Sequence, residues 1–550
     1  MQHLLEGIPS FLAAEHVMLL SLSILYVLRR KHTSHIANAK LAPYDPDVIL
    51  PPHVTSYIPY LGSALEMSRR GIRHFIAKYT HKFRHAHPVF TATIAGDHCL
   101  FIGDPDHVTM VYRYSQHLDD YALQKQFTRN VLGITDAVDE GVIFGDVAKE
   151  AHRQYHHYLF SDGELNKTVR EAQDIFRKIL PQMIGGGGTG GSSGRDSWHR
   201  QDLYRFVRDC VFKASVAPLI SRHLATDEAS KLYEVFDKGV PLMFGEAPSF
   251  LVAKAADART SLIDIISDDR FVGEGSDLMK ARTGLDFSSN SFVRSALGLL
   301  FASVGNSIPA VFWCLYHILA DPVAYEAVRT EVEGVINSRK MNSGNDDAGP
   351  SSFSLEELDH MVLVKSCFQE ALRLYHGAFT TREAREDFVF DPKKPRQPKY
   401  LIEKGTRVMA FAAVIHHDEE MFEDAERYRY DRFAPTVGAD GTPREPTFGK
   451  KGGRRVAKPL VAFGGGAHLC PGRRFISCET QAFVAILISM FDMRLVIGDG
   501  SPPSIDFASQ GVGVSHPDRD IQMELRLGNN DEQASIGQLY SGAIVDQREK

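Results

Sequence analysis

A single glycine-rich stretch that ends in a cysteine constrains this chain more than any other part of its sequence. Residues 461–475 read VAFGGGAHLCPGRRF, so Cys470 stands between a glycine-rich loop and an apolar pattern of helical period that continues to about Met490. Pro471 suits the first helical position, where a missing N–H group costs nothing. Unpaired N–H groups and the helix dipole at such a position favour a thiolate and lower the thiol pKa. The pattern predicts a nucleophile or a metal ligand at Cys470, after a loop whose glycines can approach a flat partner.

The spacing inside this stretch distinguishes Cys470 from an ordinary buried cysteine. Five residues fit the pattern Phe-x-x-Gly-x-(Arg or His)-x-Cys-x-Gly, namely Phe463, Gly466, His468, Cys470 and Gly472. The stretch resembles the haem-thiolate loop of the cytochrome P450 family. The resemblance implies haem b as the cofactor and Cys470 as the axial ligand of its iron. It also implies that Phe463, Gly466 and His468 bind the cofactor.

Composition excludes several other classes of protein. The chain has 550 residues, a formal net charge of −7 and no dense basic run, which argues against nucleic acid as a partner. Its six cysteines are scattered, with no Cys-x-x-Cys pair. We therefore expect neither a disulfide framework nor a zinc site, and reduced cytosolic thiols fit best.

The N-terminus carries a membrane signal. Residues 8–28 are mostly apolar, although Glu15 and His16 interrupt them, and the basic residues 29–31 follow at once. A cleaved secretory peptide has the reverse order, with positive charge before the apolar run. We predict a single-pass signal-anchor over residues 1–31 in the endoplasmic reticulum membrane, with the rest of the chain cytoplasmic.

The rest of the chain is expected to form one large domain that is mainly α-helical with small β-sheets, as the resemblance implies. A polar linker over residues 32–50 leads to Pro51-Pro52, and the predicted haem domain spans residues 51–527. The chain turns polar beyond it, so residues 528–550 are predicted to be a flexible tail. Glycine- and serine-rich stretches at residues 184–194 and 338–352 are typical of surface insertions, because helical patterns resume after each.

Local patterns predict particular elements inside this domain. Two strand-like runs, Val89–Ile94 and Cys99–Ile102, are separated by a glycine turn. Ser354 and Glu357 form a capping-box pattern that predicts the start of a helix.

A second informative motif is a pair of opposite charges on one predicted helix. Glu370 and Arg373 stand three residues apart, so they lie on one helical face and can pair. Such a pair alone is usually a solvated surface contact. The later run Tyr430-Asp431-Arg432-Phe433 resembles the family's second-arginine segment, which implies that Arg432 joins a buried Glu–Arg–Arg cluster. Guanidinium forks that bracket one carboxylate would support the loop of Cys470.

The third motif lies in an apolar helix predicted over about residues 291–319. Pro309 cannot donate an N–H group to the Gly305 carbonyl, so the helix should bend there and leave that carbonyl free. Beside it, Asn306 and Ser307 make a polar notch in an apolar wall. The simpler interpretation is a kinked core helix with satisfied polar groups. If a haem is present, the notch is where dioxygen and a proton-donating water would lie, which makes Ser307 and Asn306 candidate catalytic residues.

Several departures from the broad family pattern point to one branch. Asn306 and Ser307 replace the usual acid–threonine pair, and a tryptophan four residues before an arginine is missing. The runs GNSIPAVFW, TREAREDF, IPYLG and GVGV resemble the branch that holds cholesterol 7α-hydroxylase and prostacyclin synthase. This likeness also implies Arg382 and His468 as partners of the haem propionates.

Three functions remain open at this stage. The first is a monooxygenase that hydroxylates a lipophilic substrate, such as a sterol, terpenoid or other specialised metabolite, with electrons from an NADPH-cytochrome P450 reductase on the same membrane. The second is a reductase-independent isomerase or lyase of a lipid peroxide. The third is a non-catalytic haem carrier, for which an oxygen-handling notch would be superfluous. Because Ser307 retains a hydroxyl that can relay protons, we favour the monooxygenase.

Overall fold

The structure is a computed structural model that describes residues 41, 43–56, 62–83, 87–102, 105–185, 197–343, 352–393, 397–438, 440–449, 460–466, 469–496, 501–509, 511 and 513–528. The predicted anchor at residues 1–31, most of the linker, the glycine-rich residues 186–196 and residues 529–550 of the predicted tail lie outside the described residues. His468 lies outside them as well.

Helices make up most of the described chain, as the sequence predicts. In chain order they are α1 Ala64–Arg70, α2 Ile72–Phe83, α3 Pro105–Val108, α4 Tyr121–Asn130, α5 Ala137–Phe144, α6 Asp146–Phe160, α7 Asp162–Gly185, α8 Leu203–Leu219, α9 Asp227–Phe244, α10 Ser249–Ser267, α11 Asp269–Gly273, α12 Asp277–Arg282, α13 Ser289–Val304, α14 Ser307–Ala320, α15 Pro322–Ser343, α16 Leu355–His360, α17 Val362–Tyr375, α18 Ala413–His416 and α19 Arg473–Met490.

The strands form small sheets at the edges of this helical body. They are β1 Val48–Ile49, β2 His53–Val54, β3 Val89–Ile94, β4 Asp97–Ile102, β5 Leu118–Asp119, β6 His199–Asp202, β7 Phe379–Ala384, β8 Phe388–Phe390, β9 Lys399–Ile402, β10 Arg407–Phe411, β11 Thr436–Val437, β12 Pro443–Arg444, β13 Phe491–Leu495 and β14 Gln522–Leu527. A six-stranded sheet has the order β2-β3-β4-β10-β7-β5, and β4 and β10 pair in parallel within it. Two three-stranded sheets, β1-β9-β8 and β13-β14-β6, and the hairpin β11-β12 complete the set for the described residues.

Most local predictions agree with these elements, and three boundaries differ. The second predicted strand, Cys99–Ile102, begins earlier, at Asp97. The strand Val89–Ile94 is confirmed, and Ser354 with Glu357 forms a complete capping box at the start of α16. The helix after the cysteine begins at Arg473 rather than at Pro471, because residues 471 and 472 form a turn. α15 continues to Ser343, so the first part of the predicted insertion at residues 338–352 is helical.

Helices α13 and α14 run through the centre of the molecule. α14 packs against α8, α15 and α17, while α19 packs against α7, α15 and α17. In the part of the chain that the structure describes, one helical stretch, Ser289–Ala320, is long and apolar enough to cross a membrane. Most of it is buried inside the protein, as expected for a core helix.

Candidate active site

Hydrogen bonds hold the loop that presents Cys470 in a tight turn before α19. The Cys470 N–H group donates to the Phe463 carbonyl at 3.0 Å, and the Arg473 guanidinium donates to the Cys470 carbonyl at 2.8 Å. Gly464 and Gly466 have φ angles of +72° and +62°, a region that favours glycine. The backbone therefore folds back on itself, and Cys470 lies close to the first turn of α19.

The glycines of this loop pack against an aromatic ring. A Cβ atom on Gly465 would lie 2.6 Å from Cε2 of Tyr112, and one on Gly466 would lie 3.4 Å from Tyr112 Cβ. The Tyr112 hydroxyl in turn hydrogen-bonds to Thr380 Oγ1 at 3.0 Å. Within the described structure, the Tyr112 ring thus lies against these glycines, and its hydroxyl connects the loop to Thr380 on β7.

The electrostatic surroundings of Cys470 differ from the sequence-based prediction. Burial raises the pKa of the Cys470 thiol above its usual value, while N–H groups of Gly472 and Arg473 and the charge of Arg473 act in the opposite direction. The helix terminus acts in the predicted direction, since these N–H groups lower the pKa, but desolvation is the larger effect and the net pKa is raised. A thiolate here needs a further positive charge, such as a bound metal ion.

One cavity joins Cys470 to the central helices. It measures about 460 Å³ and is lined mainly by apolar side chains. Cys470 and Phe463 line it, and so do Ser303, Asn306 and Ser307. The structure therefore places residues of two sequence-predicted motifs, the cysteine loop and the polar notch, on the same cavity.

The polar notch lies where the central helix is interrupted. α13 ends at Val304 and α14 begins at Ser307, so the break predicted from Pro309 is confirmed at Gly305 and Asn306. The Ser307 hydroxyl donates to the Ser303 carbonyl at 2.7 Å. The Ser307 hydroxyl can therefore accept a hydrogen bond from a further partner but has no second proton to donate.

Asn306 is held by a segment far away in the sequence. Its Oδ1 accepts a hydrogen bond from the Val514 N–H group at 2.9 Å. A Cβ atom on Gly513 would lie 1.8 Å from the same Oδ1, so only glycine fits there. The segments that contain Asn306 and Gly513 thus contact each other at the cavity. This contact cannot be predicted from the sequence.

Glu370, Arg373 and Arg432 form a buried cluster. Arg373 donates to both carboxylate oxygens of Glu370, at 2.7 and 2.8 Å, and Arg432 Nε donates to Oε1 at 2.8 Å. Glu370 and Arg373 are 0% exposed and Arg432 is 7% exposed. The structure thus brings together the three residues that the sequence and the family resemblance placed in one cluster.

A histidine that the sequence analysis missed connects this cluster to the cysteine loop. Arg373 donates to the His416 carbonyl at 2.6 Å, and His416 Nε2 accepts from the Val461 N–H group at 3.0 Å. Burial and the neighbouring His376, His417 and Arg373 lower the pKa of His416 well below its usual value, so its ring is neutral. No motif marks His416; it follows a buried strand by a few residues.

The two remaining candidates have different positions. Arg382 on β7 lies 3.7 Å from Asp120 Oδ2 and donates to the Thr381 carbonyl at 2.7 Å. It does not line the cavity that contains Cys470. His468 lies outside the described residues, so the two proposed propionate partners are not brought together within the described structure.

Comparisons with known proteins agree with this geometry. The sequence model described as "Cytochrome P450" matches residues 252–524, which include Cys470 and the Glu–Arg–Arg cluster. The chain belongs to the cytochrome P450 family. It is a cytochrome P450 monooxygenase, in the branch of the cholesterol 7-alpha-hydroxylases.

Relatives of this P450 cover most of its length at low identity. It is 27% identical to the 25-hydroxycholesterol 7-alpha-hydroxylase of Rattus norvegicus, over 73% of this chain and 95% of that one. It is 24% identical to the cholesterol 7-alpha-monooxygenase of Cricetulus griseus and 25% identical to the 7-alpha-hydroxycholest-4-en-3-one 12-alpha-hydroxylase of Homo sapiens. Each of these two matches covers 87% of this chain and 93% of the relative.

A solved structure shares the fold of this P450. The retinoic acid bound cyanobacterial CYP120A1 superposes with a TM-score of 0.60 at 18% identity, covering 87% of this chain and 99% of that chain. The likeness confirms the expected fold class, a mainly α-helical P450 fold with small sheets.

The residues around the cavity fit the haem iron that the family implies. Among the described residues that line the cavity, Cys470 is the one cysteine, and its partly buried thiol beside the N–H groups of Gly472 and Arg473 suits a single thiolate ligand. Among the described residues, no group of three or more His, Cys, Asp or Glu side chains could hold a bare metal ion. The haem iron that the family implies brings its other donors in the porphyrin, so one protein thiolate fits it.

Proposed function

We propose that this P450 hydroxylates a lipophilic substrate with dioxygen and with electrons from NADPH through an NADPH-cytochrome P450 reductase. The observation that carries the proposal is that Cys470 and Ser307 line one mainly apolar cavity. Haem b held by Cys470, with Phe463, Gly466 and His468 beside it, would supply the oxygen chemistry. The protein supplies orientation, exclusion of water and proton delivery.

Ser307 has the geometry of a water-holding group. Because its hydroxyl proton is donated to the Ser303 carbonyl, its oxygen can accept a hydrogen bond from a water in the cavity. A water held this way keeps a proton available where the oxygen chemistry needs one. Asn306 is fastened to Val514 and its amide cannot release a proton at neutral pH, so its proposed part is to shape the notch.

The Glu370–Arg373–Arg432 cluster has a supporting role in this proposal. It holds the carbonyl groups of residues that precede the cysteine loop, and His416 carries the contact on to Val461. Arg382 and His468 are proposed as propionate partners, with Arg382 first having to leave Asp120. None of these groups reacts; they keep Cys470 at one place.

The names of the relatives support a sterol, or a similarly bulky terpenoid or specialised metabolite, as the substrate. Such molecules partition into membranes, which agrees with a catalytic domain over residues 51–527 that residues 1–31 anchor to the endoplasmic reticulum membrane. The linker predicted over residues 32–50, of which Val48–Ile49 already pair with β9, would keep the domain close to the lipid, and residues 528–550 would form a polar tail.

The test compares two sources of oxidising power. Full-length protein in membranes is given either reductase with NADPH or a lipid hydroperoxide alone, and products are identified by mass spectrometry. Cys470→Ala is the matched control, because it leaves the cavity but removes the thiolate. We expect oxygenated product only with reductase, NADPH and an intact Cys470. Rearranged peroxide without reductase would instead establish the isomerase reaction.

A further inference from the structure

A buried arginine lines the cavity without a carboxylate partner. Arg282, the last residue of α12, is 2% exposed and lines the same cavity as Cys470 and Ser307. Among the residues that the structure describes, no Asp or Glu oxygen lies within 4.0 Å of its guanidinium. Buried charges in proteins are normally paired, so a cation left in this wall indicates an absent anionic partner.

The neighbours of Arg282 are hydroxyl groups that donate no hydrogen bond within the part of the chain that the structure describes. Its guanidinium donates to the Tyr155 hydroxyl and to Ser295 Oγ, both at 2.6 Å. Because each hydroxyl oxygen accepts from Arg282, its own proton is available to a further acceptor. The Nε atom of Arg282 is buried and has no hydrogen-bond partner among the described residues. The site thus offers a positive charge and three donor groups.

Aromatic rings fix the plane of this guanidinium. The Arg282 side chain lies 5.2 Å from the ring centres of Tyr155 and of Phe287, at cation–π distance. Tyr155, Phe287 and Ser295 all line the cavity. The guanidinium is therefore held in one orientation before any ligand binds. Less side-chain entropy is then lost when a ligand binds.

We propose that Arg282, Tyr155 and Ser295 form a carboxylate-binding subsite in this cavity. A carboxylate has two oxygens with several lone pairs, and it is the group that a planar guanidinium with adjacent O–H donors matches best. Among the described residues that line the cavity, Arg282 is the sole Arg or Lys. Two sources have this chemistry, namely an acidic group of the lipophilic substrate and a haem propionate.

The position of the subsite separates it from the reactive end of the cavity. Ser295 precedes Ser307 by more than three helical turns, roughly 18 Å along a helix axis. A substrate whose carboxylate binds at Arg282 would therefore present a distant carbon to the oxygen chemistry. This inference rests on the proposed function only in that the cavity holds haem and a lipophilic ligand.

The experiment measures binding to the ferric holoprotein, without reductase or turnover, so its result is independent of the proposed reaction. Hexadecanoic acid and its methyl ester are titrated separately, and the shift of the Soret band reports occupancy. If the substrate is the source, wild type binds the acid about tenfold more tightly than the ester, and Arg282→Met removes that preference. Tyr155→Phe, which keeps the arginine and its ring contact, weakens the preference without abolishing it.

Resonance Raman spectra of the same proteins test the second source. If a haem propionate occupies the subsite, the propionate bending bands shift in Arg282→Met and in Tyr155→Phe. Arg259→Met is the control, since Arg259 binds the carbonyls of Asn130 and Val131 and does not line the cavity. Either result supports the subsite. Equal binding of acid and ester together with unchanged propionate bands in Tyr155→Phe would overturn it.

Discussion

At the scale of single residues, the hydrogen bond from Ser307 to the Ser303 carbonyl decides what this side chain can do. A hydroxyl that is already donating serves the cavity as an acceptor, so it can hold a water but needs that water to supply the proton. This makes the oxygen atom of Ser307 more important than its proton.

Replacing Ser307 with alanine should therefore uncouple the reaction. We expect less product for each NADPH consumed and more hydrogen peroxide, with a loss of about 10²–10⁴-fold in the coupled rate if the group acts in proton delivery. Product, NADPH and peroxide are measured together in the reductase assay. Ser303→Ala is the control, because its hydroxyl bonds to the Leu299 carbonyl while the carbonyl that Ser307 uses is retained. Coupling in Ser307→Ala equal to that of wild type would remove the proton role.

At the scale of elements, the Glu370 cluster joins α17 to the segment before the cysteine loop. Removing the carboxylate leaves Arg373 and Arg432 buried without their anionic partner, which costs about 3–5 kcal/mol, a large share of ordinary domain stability. Glu370→Ala should yield little haem-loaded protein. The reduced carbon-monoxide difference spectrum, compared with total protein, measures this yield.

The control for that prediction is Glu386→Ala. Glu386 pairs with His117 at the surface, and its side chain is 63% exposed, so its removal should leave haem content nearly unchanged. Normal haem content in Glu370→Ala, with lower activity alone, would mean that the cluster tunes the rate instead.

The packing of α19 on α8 predicts how stability depends on pH. Burial raises the pKa of Glu479 to about 8, from an ordinary 4.5, and Ser215 donates to its Oε1 at 2.6 Å. Between these two pH values the folded protein keeps a proton that the unfolded chain has lost. The free energy of unfolding therefore falls as pH rises from about 4.5 to 8, by up to a few kcal/mol.

Glu479→Gln should flatten this dependence, since a glutamine keeps the shape and does not ionise. We expect the variant to have a higher Tm than wild type at pH 8 and a similar Tm near pH 4.5, as measured by calorimetry. Glu228→Gln, at an exposed position on α9, is the control and should follow the wild-type curve. An equal pH slope in Glu479→Gln and wild type would contradict a protonated Glu479.

At the scale of the whole molecule, we propose that the predicted anchor and the folded domain are separate parts. Deleting residues 1–31 should move most of the protein from membranes to the soluble fraction, because the longest apolar helix of the described structure is buried in its core. Haem content should be unchanged, since the cavity residues all lie beyond residue 130. Cell fractionation and the carbon-monoxide difference spectrum measure the two outcomes. Loss of haem on deletion would place residues 1–31 within the fold.

The sequence by itself predicts whatever depends on local spacing. The helix break before Pro309 and the capping box at Ser354 are confirmed because each depends on residues within a few positions of one another. The family pattern that those spacings carry also predicts that the cysteine loop and the notch face the same space. Phe463, Cys470 and Ser307 do line one cavity. The fold class follows from the same resemblance.

Only the tertiary structure reveals the contacts between distant segments. His416 links the cluster to the cysteine loop, Gly513 gives room to Asn306, and Arg282 faces the cavity beside Tyr155, although no sequence pattern joins any of these pairs. The raised pKa of Cys470 belongs to the same class, because the local helix terminus favours a thiolate whereas burial by remote residues opposes it. Desolvation depends on what the rest of the chain packs over a group, and local sequence does not determine that packing.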